Sequence, residues 1–82
     1  MPVVRRRYRM IFPENLITEP VIFNMGKQAE VVTNIRRANV EERVGWVVLE
    51  IEGPEAEVRK AVEYASGLGV EVTAVGGDVL EG

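Results

Sequence analysis

The sequence predicts an α+β domain with its elements in the order β-α-β-β-α-β. Three observations carry that prediction. Residues 31–53, VVTNIRRANVEERVGWVVLEIEG, hold two β-branched runs joined by the fully charged Glu41-Glu42-Arg43, the pattern of an antiparallel hairpin. Residues 54–69 place Val58, Ala61, Val62, Ala65 and Leu68 at helical spacing. Residues 3–12 and 70–75 alternate apolar and polar positions with the period-two pattern of strands that bury one face.

In chain order, VVRRRYRMIF comes first. Val4, Arg6, Tyr8, Met10 and Phe12 share one face, and Arg5, Arg7, Arg9 and Ile11 the other. Pro13 to Leu16 reads as a connection. Thr18 is the expected N-cap of the first helix, with Glu19 and Pro20 in its first turn. Val21, Ile22, Met25 and Ala29 form its apolar stripe. Phe23 falls off that stripe and is expected to be partly exposed, and Gly26 weakens the helix or ends it early.

In the hairpin, the spacing of Ile35, Ala38 and Val40 breaks strict alternation, so a bulge is expected near Arg36-Arg37. On its second strand Val47, Leu49 and Ile51 point one way, and Trp46, Val48, Glu50 and Glu52 the other. Gly53-Pro54 stops this strand. Pro54 opens the second helix, with Glu55 and Glu57 in the first turn and Gly67 or Gly69 as its stop. Val70 to Val75 is the last strand, ended by Gly76-Gly77, and 76–82 reads as a flexible tail after a core of about 3–75.

Right-handed crossovers turn this order into a ferredoxin-like sandwich. A four-stranded antiparallel sheet of order 4-1-3-2 carries two helices on one face and leaves the other bare. The first strand then lies beside the third, so Arg5, Arg7 and Arg9 are expected to face Glu50 and Glu52. The bare face, with Trp46 and Val48 at one end, is a candidate interface.

The totals narrow the function. At 82 residues the chain is one domain, 1–82. It has no cysteine and no histidine, which excludes disulfides, thiolate metal sites and the commonest general base. Its one serine, Ser66, sits late in a helix with nothing to activate it. No enzyme activity, metal or cofactor is expected. No apolar run reaches the length of a membrane helix and no signal-peptide core follows the basic N-terminus, so a cytoplasmic location is expected. The net charge is −3, divided between +3 over residues 1–43 and −6 over 44–82. That balance argues against nucleic acid, although single-stranded binding through Arg5, Arg7, Arg9 and Trp46 stands as a third reading.

The hairpin also carries a family resemblance. Asn34-Ile35-Arg36, the glycine-bounded strand Gly45 to Gly53, the early YRMIFPENLITEPVI and the late GVEV of residues 69–72 fall in the order and spacing of a NIL domain. The chain resembles that family from about Tyr8 to Val75, departing from it at Arg36, where the name-giving Asn-Ile-Leu motif has leucine. The NIL domain is the C-terminal regulatory module of methionine-importer ATPase subunits and also occurs beside ferredoxin domains and in short proteins. The resemblance implies a regulatory module that binds methionine or a related amino acid as a homodimer. Its partner would be a transporter or a ferredoxin-type protein. The motif asparagine belongs to the family's ligand site, which transfers to Asn34; Ile35, Arg36 and Arg37 complete the candidate set, with the arginines able to meet a carboxylate. The alternative is a protein-interaction module that presents its open sheet face or an edge strand.

Overall fold

The computed structural model describes residues 3–41 and 43–75. Its elements are β1 (Val3–Phe12), α1 (Val21–Gln28), β2 (Val32–Val40), β3 (Gly45–Pro54), α2 (Glu55–Leu68) and β4 (Glu71–Ala74), with a 3-10 turn at Glu14–Leu16. The strands form one antiparallel sheet of order β2-β3-β1-β4, the expected ferredoxin-like order read from the other edge. The expected tail, with Gly76-Gly77, and Glu42 of the hairpin connection lie outside the described residues.

β3 is central and fixes the two faces. Its burial alternates along its whole length, with Val47, Leu49 and Ile51 turned to the helices. β1 pairs with it from Val3 opposite Pro54 to Phe12 opposite Gly45, which sets Met10 beside Val47 and Tyr8 beside Leu49. Residues directly opposite in an antiparallel pair share a face, so this register joins the two apolar rows into one floor. α2 covers it with Val58, Ala61 and Ala65, all buried. Two alanines in that stripe let the helix axis lie close to the sheet, where packing must reach interior density.

The end of α2 has a distinct geometry. Gly69 takes φ 110°, the Val70 amide donates to the Ala65 carbonyl at 3.2 Å and the Gly69 amide to the Ser66 carbonyl at 3.1 Å. This is a Schellman closure, which needs a residue at ease in the left-handed region. Gly69, not Gly67, is therefore the stop.

Four expectations need correction. Thr18 does not cap α1. Leu16 is buried at 8% exposure, the chain is still turning at Glu19, whose amide donates to the Leu16 carbonyl, and the helix begins only after Pro20. Seating Leu16 in the core delays the start by about a turn, and the connection supplies a core residue that its polar neighbours obscured. Leu68 is 43% exposed, because the buried stripe of α2 ends at Ala65 and the chain then unwinds at Gly69. β3 runs through Pro54 before the helix begins, since Pro54 pairs with Val3 at the end of the ladder. β4 is shorter than expected, Glu71–Ala74, because Val70 is drawn into the core by the Schellman turn. The bulge is present: the β2–β3 register shifts between Ile35 and Arg37.

Candidate functional site

The bulge divides the candidate residues of β2 between two faces. Asn34 stands opposite Glu50, and Arg37 opposite Val48, so both lie on the open face. Ile35 stands opposite Leu49 on the helix face. Arg36 is the extra residue and has no partner in the register. The four therefore do not converge on one point. β2 is an edge strand, and apart from half-buried Thr33 its residues are exposed.

Ile35 belongs to a groove on the helix face. The cavity measures about 290 Å³ and lies between β2, the C-terminal end of β1 and the start of α1. Its walls are Phe12, Leu16, Val21, Ile22, Ile35 and Val40, with Phe23 also facing it. Glu19 and Pro20 stand at its rim. Pro20 is the N-cap of α1 and no side chain caps the helix; the Val21 amide donates to the Glu19 carbonyl at 2.8 Å, and the Ile22 and Phe23 amides keep the partial positive charge of a helix N-terminus. Phe23 and Val40 are each 67% exposed and Ile35 54%. The sequence signal for this groove was Phe23 off the helical stripe. Together with Ile35 and Val40 it is apolar surface that the core does not consume.

The open face is polar at one end and mixed at the other. Arg5 pairs with Glu52 at 3.5 Å, and Arg7 with Glu50 at 3.3 Å, as the register of β1 on β3 dictates. Arg6, on the helix face, reaches Glu55 at the start of α2 at 3.6 Å. Arg9 departs from the expected pattern. It stands opposite Val48 and lays its guanidinium 5.3 Å from the centre of the Trp46 ring, a cation–π contact in place of an ion pair. The interface candidates Trp46 and Val48 are half-buried in this cluster.

Among the described residues, no three His, Cys, Asp or Glu side chains gather where they would hold a metal, and no helix is long and apolar enough to cross a membrane. The family model of the NIL domain matches residues 6–74, from β1 through β4. The chain belongs to the NIL domain family. Among curated relatives of this NIL domain is the methionine import ATP-binding protein MetN of Helicobacter pylori strain 26695. It is 33% identical over 69 residues, which are 79% of this chain and 21% of that protein. The protein of the same name from Helicobacter acinonychis is 32% identical over the same shares. The NIL domain thus spans about a fifth of the length of these relatives. The crystal structure of the C-terminal domain of an ABC transporter ATP-binding protein from Enterococcus faecalis superimposes with a TM-score of 0.76. It covers 89% of this chain and 86% of that one at 21% identity, a likeness of fold.

Proposed function

We propose that this NIL domain is a non-enzymatic regulatory module that binds a small apolar amino acid, methionine first among the candidates, in the groove between α1 and β2. The observation that carries the reading is the groove itself: an apolar cavity of about 290 Å³ with the motif residue Ile35 in its wall. A thioether or branched side chain suits such walls, and a few polar groups at the rim fix orientation. Glu19 is placed to meet the ammonium group. The uncapped first turn of α1 favours the carboxylate. The relatives' role as methionine import ATP-binding proteins supports methionine over other side chains of similar shape.

In this reading the domain works in the cytoplasm beside an importer's ATPase, and binding signals that the imported compound is already plentiful. It acts as a homodimer joined through the outer edge of β2, the side away from β3, which has no strand partner among the described residues. A register that brings Arg36 of one copy toward Glu41 of a second avoids apposing like charges and leaves Arg37 on the open face. A ferredoxin-type partner is the alternative setting.

Calorimetric titration of the full chain with the common amino acids tests the proposal. Saturable heat from methionine, with a rise in melting temperature, is expected. No heat and no thermal shift from any of them would sink it.

A further inference from the structure

The open sheet face holds a second arrangement, which shares Trp46 alone with the lining of the groove. One row across the strands reads Arg37, Val48, Arg9, Thr73, because Val48 stands opposite Arg37 on one side and Arg9 on the other, and Arg9 stands opposite Thr73. The next row reads Asn39, Trp46, Ile11, Glu71. Arg37 and Arg9 thus flank Val48, with half-buried Trp46 and Ile11 in the next row and the Arg9 guanidinium resting over the Trp46 ring. Among the described residues neither Arg9 nor Arg37 has a carboxylate within ion-pair distance, whereas Arg5 and Arg7 on the same face are matched by Glu52 and Glu50. The positive charge of this face is therefore concentrated at one end, over apolar surface.

We propose that this corner, Arg9, Arg37, Trp46 and Val48, docks an acidic amphipathic helix of a partner protein. The charge pattern selects the partner. Arg9 and Arg37 are two strand pairings apart, so their α-carbons lie about 10 Å from each other. Two acidic residues seven apart on a helix are separated by about 10.5 Å along its axis, with positions i+3 and i+4 between them on the same face. A helix carrying acid at i and i+7 and leucine at i+3 and i+4 would run across the strands, pair each carboxylate with one arginine and seat its apolar residues on Val48 and Ile11, beside the Trp46 ring on which Arg9 rests. A second copy of this chain fits worse, since a twofold contact through this corner sets arginines against arginines. A nucleic acid strand fits worse too, because the row is bounded by Glu50 on one side and Glu71 on the other, and the positive track ends after one row.

Trp46 is the only tryptophan in the chain, so its fluorescence reports on this corner, and since Trp46 also lines the groove the titration is run without amino acid. The probe is a synthetic helical peptide with glutamate at i and i+7 and leucine at i+3 and i+4, titrated into the full chain. A saturable change in Trp46 emission is expected, weakening steeply with salt. Arg37→Gln, which leaves the Arg9–Trp46 contact in place, should weaken binding about tenfold, as should replacing both peptide glutamates by glutamine. Arg5→Gln should leave it within about twofold, because Arg5 is already neutralised by Glu52. All these side chains are exposed, and melting curves confirm that the variants fold. No saturable change, or equal binding by Arg37→Gln and Arg5→Gln, overturns the proposal. So does tighter binding of oligothymidylate than of the peptide, which would assign the face to single-stranded nucleic acid.

Discussion

A Cβ added at Gly53 would meet the backbone carbonyl oxygen of Glu30 at 2.8 Å. The connection from α1 into β2 therefore crosses the end of β3 in direct backbone contact, and the same crossing is held from above. The Glu30 amide donates to Oε1 of Glu57, in the first turn of α2, at 2.8 Å. Gly53→Ala has no flexible side chain to push aside, since the neighbour is backbone with Val31 Cγ1 at 3.1 Å behind it. We expect a loss of about 1–3 kcal/mol in urea denaturation, the range for overpacking a close contact. An unchanged midpoint would show that the connection moves freely.

The Glu57 contact predicts a smaller effect of defined chemistry. Glu57→Ala removes the acceptor of the Glu30 amide and should cost about 0.5–1.5 kcal/mol. Glu57→Gln keeps a side-chain oxygen in place and should recover most of that loss. The two melting temperatures, compared with the parent chain, check it; equal losses in both variants would contradict an acceptor role.

The ladder on the open face predicts very little stability. Arg7 and Glu50 are bonded at 3.3 Å, but the arginine side chain is 41% exposed, so water screens the pair. A double-mutant cycle of Arg7→Ala and Glu50→Ala should give a coupling below about 1 kcal/mol, shrinking further as salt is added. A coupling of several kcal/mol would mean that the pair is shielded from water.

The sequence made the fold legible because three signals agreed. The period of β3, the stripe of α2 and the hairpin with its charged connection agreed on the element order, right-handed crossovers turned that order into the sheet order, and the Arg5–Glu52 and Arg7–Glu50 pairs follow from it. Where local and tertiary demands diverged, the sequence was ambiguous. Leu16 sits among Pro13, Glu14 and Asn15 and looks like a loop residue, yet it is pulled into the core and moves the start of α1 with it. The candidate site was legible only in part. The motif Asn34-Ile35-Arg36 with Arg37 after it made the candidates a contiguous run, but a strand alternates its side chains and a bulge adds one residue to the count. Contiguity in sequence therefore became separation across the sheet. The groove was hidden because its walls come from β1, α1 and β2 together, and no local pattern reports such a convergence.

Self-association through the β2 edge leads to a test with a built-in control. Sedimentation at micromolar concentration should show a species of twice the 9.1 kDa chain mass that dissociates on dilution. Trp46→Ala should leave that equilibrium unchanged, because Trp46 lies on the open face of β3 and not at the edge. A single 9.1 kDa species across the series removes the dimer, and a shift toward monomer in Trp46→Ala moves the contact to the open face.

The division of the motif between two faces gives the sharpest test of the ligand site. Ile35 lines the groove, whereas Asn34 points to the other side of the sheet, opposite Glu50. Edge-to-edge pairing of two copies about a twofold axis perpendicular to the sheet keeps equivalent faces on the same side. A second copy therefore does not bring its Asn34 into the groove either. A ligand held in the groove needs Ile35 and not Asn34, and a ligand held by Asn34 and Arg37 would lie on the open face near the β2 edge. With methionine as titrant, Ile35→Ala should weaken binding about tenfold through lost apolar contact. Asn34→Ala should leave the affinity within about twofold, because its amide cannot reach the cavity from the opposite face. The reverse ranking, with Asn34→Ala abolishing the heat and Ile35→Ala tolerated, would move the site to the open face while leaving methionine as the ligand. Loss in both variants at unchanged melting temperature would require the two faces to meet at the edge, in a pairing of copies that wraps around β2.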